Sequence, residues 1–253
     1  MNEISIVGRS LLITLIIDFG IQTLFYVGSA ISKSELVYDL SGMLTYIACI
    51  LTALLLRAQA VGNDVSRLHL RQIIAAILVL IWTIRLGLML FLRILRTGED
   101  KRFETLKQNR IKFFIPWFLQ AVWIYLTPFP VYIILGNPSN LQNALNYSDF
   151  VGLVILVFGF FVEVLADYQK NKFKKEYPKD FIKTGIWKYS RYANYNGEIT
   201  FWLGMFIFCA NGFIEDWQWV SLISPFFVAF LIINVSGIRL LEKSQMERYG
   251  ERE

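Results

Sequence analysis

Seven long runs of mostly apolar residues dominate this sequence, at about 10–31, 41–56, 73–95, 113–135, 150–166, 197–213 and 220–240. A membrane-crossing helix takes about 20 such residues. In hydrocarbon the backbone must satisfy its own hydrogen bonds, so each run predicts a helix. A transmembrane barrel would instead show segments of about ten residues that alternate apolar and polar, a pattern missing here. Apolar residues make up 55% of the chain, above the roughly 45–50% of a soluble domain. The connecting segments are too short for a separate soluble domain. The predicted fold is therefore all-α: one polytopic membrane domain over residues 1–253 with about seven transmembrane helices, an integral multi-pass protein.

The first run is expected to be a retained helix rather than a signal peptide. Its leading segment carries only Arg9, and its long apolar stretch contains Asp18. Cys49 and Cys209 both fall inside apolar runs and form no C-x-x-C, so neither a disulfide framework nor a metal site is expected.

Charge placement sets an orientation. With seven spans, segments 32–40, 96–112, 167–196 and the C-terminal tail share one face. They hold nineteen of the 25 basic residues, and the other face has only Arg9, Arg57, Arg67 and Arg71. By the positive-inside rule the C-terminus is cytoplasmic and the N-terminus outside. Anionic lipid headgroups account for most of such a basic face. Nucleic acid binding does not fit short loops between membrane helices.

Charged residues within a span are costly and mark function or pairing. Trp82, Arg85, Met89 and Arg93 follow helical spacing on one face of the third run. Arg85 lies deep and needs an anionic partner, whereas Arg93 is close enough to the end to snorkel. Glu163 and Asp167, four apart, close the fifth run, and Lys170 and Lys174 extend their face. An ion-paired helix end accounts for the outer members; Glu163 lies about a turn inside. The sixth run opens with Ser190-Arg191-Tyr192-Ala193-Asn194-Tyr195-Asn196-Gly197-Glu198. Interfacial anchoring explains Trp187 and Tyr189, but not Asn194 and Glu198. The single histidine, His69, is expected to be solvated in an outer loop. No dinucleotide-binding or P-loop glycine motif occurs, and no inverted repeat is evident.

These motifs resemble the DUF1295 family of the steroid 5-alpha-reductase-like superfamily. Trp82 to Gly87, Arg93 and Gly98 to Phe103 resemble its first signature. Glu163 to Lys170 with Phe173 resembles its E-x-x-x-D-x-Q-K-x-x-F, and Ser190 to Glu198 its S-R-H-P-N-Y-x-G-E. Ser236-Gly237-Ile238, Leu241-Glu242-Lys243 and Arg248-Tyr249-Gly250 resemble its S-G-x-x-L-L-E-K and R-Y-G tail. The resemblance implies a seven-helix membrane fold with a cytoplasmic NADPH pocket. It implies hydride transfer to an activated carbon–carbon double bond of a steroid, sterol or other lipid. It carries cofactor contacts to Arg85, Asp167, Lys174, Asn194 and Glu198, and a pocket position to Tyr195.

Three departures stand out. Tyr192-Ala193 replaces His-Pro. Trp82 occupies the place of a catalytic tyrosine in the animal steroid branch, and an indole is no practical proton donor. That branch's early glutamine–glutamate pair has no counterpart.

The expected function is an NADPH-dependent membrane reductase of a lipophilic enone or alkene. Asp167, Asn194 and Glu198 would take the nicotinamide amide or ribose. Arg85, Arg93, Lys170, Lys174 and Arg191 would face phosphate, and Tyr195 and Glu163 would polarise the substrate. One alternative is an S-adenosylmethionine-dependent methyltransferase of the isoprenylcysteine carboxyl methyltransferase type. Another is a non-catalytic lipid-binding membrane protein.

Overall fold

The computed structural model describes residues 3–177, 180–235, 237, 242 and 246. Among them there is no strand. The helices are α1 (Glu3–Ser32), α2 (Tyr38–Ala60), α3 (Leu70–Thr97), α4 (Arg110–Leu126), α5 (Phe129–Gly136), α6 (Tyr147–Glu176), α7 (Ala193–Ala210) and α8 (Ile223–Phe230). Among the described residues, each apolar run lies mostly on helix. Ile6–Ser32, Tyr38–Ala60, Leu70–Thr97, Tyr147–Glu176 and Asp216–Val235 are each long and apolar enough to cross a membrane. The fourth run is not one straight helix: α4 and α5 meet at a 50° bend and together make a sixth candidate span. The bend falls at Thr127-Pro128 with Pro130 just beyond, where proline removes backbone donors. α7 carries the sixth run but is not among the candidate spans, because Asn194, Asn196 and Glu198 dilute its apolarity.

The chain forms two compact units. The first contains residues 1–145 and 209–219, the second 146–208 and 220–253.

In the first unit, α1 is polar inside and apolar outside. Ser10, Thr14, Asp18 and Gln22, at steps of four, are buried, whereas Leu12, Ile16, Leu24 and Ile31 are exposed. Such a helix suits a lipid exterior. Tyr46, Trp82 and Trp123 form an aromatic core, with Tyr46 5.8 Å from Trp82 and 5.0 Å from Trp123 between ring centroids.

Two polar knots tie loops of this unit together. In one, Lys107 Nζ pairs with Glu35 Oε2 at 2.7 Å, and the Asp100 amide donates to Glu35 Oε1 at 2.9 Å. Arg93 reaches Asp39 at 3.9 Å, and Arg102 forks onto Asp100. In the other, Asn137 and Gln218 exchange side-chain amide bonds of 2.8 Å each, and Asn137 Nδ2 also donates to the Gly212 carbonyl. Gln72 Nε2 donates to the Ile134 and Asn137 carbonyls, and Arg71 Nη1 to the Asn143 carbonyl. Arg71 is therefore a fully buried structural residue rather than a loop charge. His69 is not simply solvated either: its ring accepts from the Arg71 amide and caps α3.

In the second unit, α6 and α7 touch backbone to backbone through Gly152 and Gly159 on one helix and Gly197 and Gly204 on the other, each pair seven residues apart. A Cβ on Gly197 would stand 2.5 Å from the Glu163 amide nitrogen, and one on Gly152 2.6 Å from that of Phe208. Small residues at such spacing let membrane helices approach closely. Cys49 and Cys209 are buried thiols that form no disulfide.

Candidate functional site

The glycine contact fixes the register of α6 against α7 and so sets the residues just beyond it. Glu163 is almost fully buried, four residues before Asp167, which is 9% exposed. Asn194, in the first turn of α7, donates through Nδ2 to Asp167 Oδ1 at 3.3 Å. Of the three residues that the sequence grouped, Asp167, Asn194 and Glu198, the first two are thus seen in contact.

The chain between the two helices folds back over the end of α6. Trp187 Nε1 donates to the Ala166 carbonyl at 3.1 Å, and its ring packs with Ala166, Ala193, Ile182 and Ile186. Gln169 Oε1 accepts from the Ile186 amide at 3.0 Å, next to Gly185, whose φ of +62° favours glycine. Trp187 is accordingly a buried, hydrogen-bonded bracket and not an interface anchor. Tyr189, 86% exposed, fits the anchoring role. Ser190 Oγ accepts from the Tyr192 amide at 3.2 Å and from Asn196 Nδ2 at 2.9 Å, which organises the entry to α7.

The other predicted residues are placed as follows. Lys170 extends its ammonium over the Trp187 ring at 5.4 Å. Lys174 Nζ donates to the Asp180 carbonyl. Tyr195 stacks on Tyr192 with ring centroids 6.2 Å apart. Tyr192 donates to Glu242 Oε1 at 2.8 Å, and burial together with that carboxylate raises the phenol above its ordinary pKa. Arg191 is exposed and Glu198 half-buried. Arg85 and Arg93 belong to the first unit, where Arg93 has Asp39 as its acidic neighbour. Of the tail motif, Ser236, Ile238, Leu241, Lys243, Arg248, Tyr249 and Gly250 lie outside the described residues.

Sequence reasoning missed Gln169, Ser190 and the four glycines. The first two lay inside quoted motifs, but their partners are loop amides that no spacing rule reveals. The glycine pairs could have been found from their shared seven-residue step.

A family model described as "Protein of unknown function (DUF1295)" matches residues 24–253. The chain belongs to the DUF1295 family. This DUF1295 protein is 26% identical to an uncharacterized protein of Schizosaccharomyces pombe, over 71% of this chain and 59% of that relative. The match thus spans less than two thirds of the yeast protein. No solved structure matches the chain.

At this end of the second unit Asp167 and Asn194 present a carboxylate and an amide. Lys170, Lys172, Lys174 and Arg191 place cations near the same helix ends.

Proposed function

We propose that this protein is a membrane-embedded, NADPH-dependent reductase of a carbon–carbon double bond in a steroid or other lipophilic enone. The observation that carries the proposal is the Asp167–Asn194 pair at 3.3 Å, held beside a glycine-locked helix contact and flanked by lysines. An acid in that position costs free energy unless it has a partner. Bonded to Asn194, it gives the pair an acceptor and an amide with which to grip a polar ligand.

NADPH, when bound, supplies the hydride. The protein's part is to hold and orient. Asp167 and Asn194, with Glu198, bind the carboxamide or ribose hydroxyls, and Lys170, Lys174 and Arg191 neutralise phosphate. Tyr195 and Glu163 are the candidates for polarising the substrate. The assignment of Arg85 and Arg93 to phosphate rests on the sequence resemblance alone.

The proposal includes seven spans with the N-terminus outside and the C-terminus cytoplasmic. Two features of the first unit favour it. Loops 32–40 and 96–112, expected on one face, meet in the Glu35–Lys107 knot. Loops 57–72, 136–149 and 214–219, expected on the other, meet around Asn137. The partners are then a lipophilic small molecule and membrane lipids.

One observation favours a second reading, a lipid-binding protein without catalysis: Trp82 is fully buried in the aromatic core.

The test is binding of NADPH to the detergent-purified protein, beside NADH and S-adenosylmethionine. Selective NADPH binding that Asn194→Ala abolishes supports the reductase. Binding of S-adenosylmethionine instead moves the protein to the methyltransferases, and binding of none by folded protein leaves the non-catalytic reading.

A further inference from the structure

The first unit holds a second polar centre that the proposed reductase does not use. Asp18 stands at mid-length of α1 with 0% exposure, and neither carboxylate oxygen has a hydrogen-bond partner. One turn on, Gln22 leaves its Oε1 without a partner in the same interior. Both are acceptors.

The donors around them point elsewhere. Gln22 Nε2 is spent on Thr45 Oγ1 at 2.9 Å, and Thr45 Oγ1 donates to the Ser41 carbonyl at 2.7 Å. Thr14 Oγ1 turns back to the Ser10 carbonyl, and the Cys49 thiol donates to the Thr14 carbonyl. Tyr125 donates to the Leu11 carbonyl at 3.0 Å, and Tyr132 to the Ile124 carbonyl at 3.4 Å. Cys49, Tyr125 and Tyr132 are the titratable groups that Asp18 senses from α2, α4 and α5, the helices packed on α1. None of them carries a positive charge. Arg57 on α2 is eight residues beyond Cys49, and Arg9 on α1 nine before Asp18, each more than roughly 10 Å along its helix.

A bare carboxylate in such a place costs several kcal/mol. What complements an acceptor-only, fully enclosed site is one small positive charge. We propose that Asp18, with Gln22 beside it, is an intramembrane binding site for a single small cation, either a proton or a sodium ion.

The test uses the full chain in lipid nanodiscs, with Asp18→Asn as the shape-conserving control. The first measurement is infrared absorption of wild type minus variant, in choline and in sodium buffer of equal ionic strength. A carboxylic-acid C=O band assigned to Asp18 in both buffers identifies the proton. A carboxylate band that shifts with sodium, together with sodium-dependent thermal stability lost in Asp18→Asn, identifies the ion. A carboxylate band indifferent to sodium overturns the proposal. The second measurement is labelling by dicyclohexylcarbodiimide, which enters apolar regions and modifies protonated carboxyls. In the proton case the adduct maps to Asp18 and sodium does not suppress it. In the sodium case sodium suppresses it. Should the reagent not reach the site, the infrared result decides. NADPH binding is not involved, so failure here leaves the reductase proposal standing.

Discussion

Gly→Ala substitution at two helix positions should act with opposite sign. At Gly20 of α1 nothing lies within 4 Å of an added Cβ. Alanine there gains only helix propensity, roughly 0.5–1 kcal/mol. At Gly197 the Cβ would stand 2.5 Å from the Glu163 amide nitrogen and 2.8 Å from the Gly159 carbonyl oxygen. Backbone atoms cannot rotate away, so α6 and α7 must separate. Overpacking of this kind costs about 3 kcal/mol at the upper end of its usual range. Less the propensity gain, Gly197→Ala should lose about 2 kcal/mol, roughly thirtyfold in the folding equilibrium constant. Denaturant titration in mixed micelles, followed by tryptophan fluorescence, reads both variants. Equal stability changes at the two positions would refute the backbone contact between α6 and α7.

Three further outcomes are expected. Asn137→Ala leaves the buried Gln218 amide without its reciprocal partner, so it should cost roughly 2–3 kcal/mol, checked by the same titration. Trp187→Phe keeps an aromatic ring but removes the bond to the Ala166 carbonyl; a loss of at least about 1 kcal/mol is expected, and under the proposed function NADPH binding should weaken as the Asp167 surroundings loosen. Glu35 is subject to burial, which raises its pKa, but the Lys107 ammonium and the Asp100 amide outweigh that and hold it below the ordinary carboxylate value. Its folded-state pKa is therefore the lower one, so its stabilisation is full above the unfolded value of about 4.3. It is lost as pH falls through the folded value. Glu35→Gln should remove that acid-side loss of stability, seen as a flatter melting-temperature profile below about pH 4.5.

Much of the architecture was legible because a membrane imposes a coarse code: about 20 apolar residues per crossing. That code read the five long apolar helices and the bent α4–α5 pair, and it located the polar exceptions. It did not read the bend at Pro128, since a span of correct length need not be straight. Asp167 and Asn194 were each legible because each stands at the end of an apolar run, where a polar residue needs a reason, but their contact was not. Nor was their support. Arg71, read as a loop charge, is buried because its partner Asn143 is 72 residues away, a distance no local pattern spans. Gly197 was read only as part of a motif and Gly204 not at all, since sequence does not say which face meets a neighbour. Asp18 was noticed only as an oddity in the first helix; its orphaned oxygens follow from how nearby donors were spent, a property of the packed bundle.

The most direct test of the central claim is deuteride transfer. Purified protein in nanodiscs, supplied with NADPH deuterated at the nicotinamide C4 and an extract of membrane lipids, should place deuterium in a lipid lacking one double bond. Asn194→Ala should abolish that mass shift. If the wild-type protein binds NADPH yet no lipid in the extract acquires deuterium, the protein is not a reductase of membrane lipids.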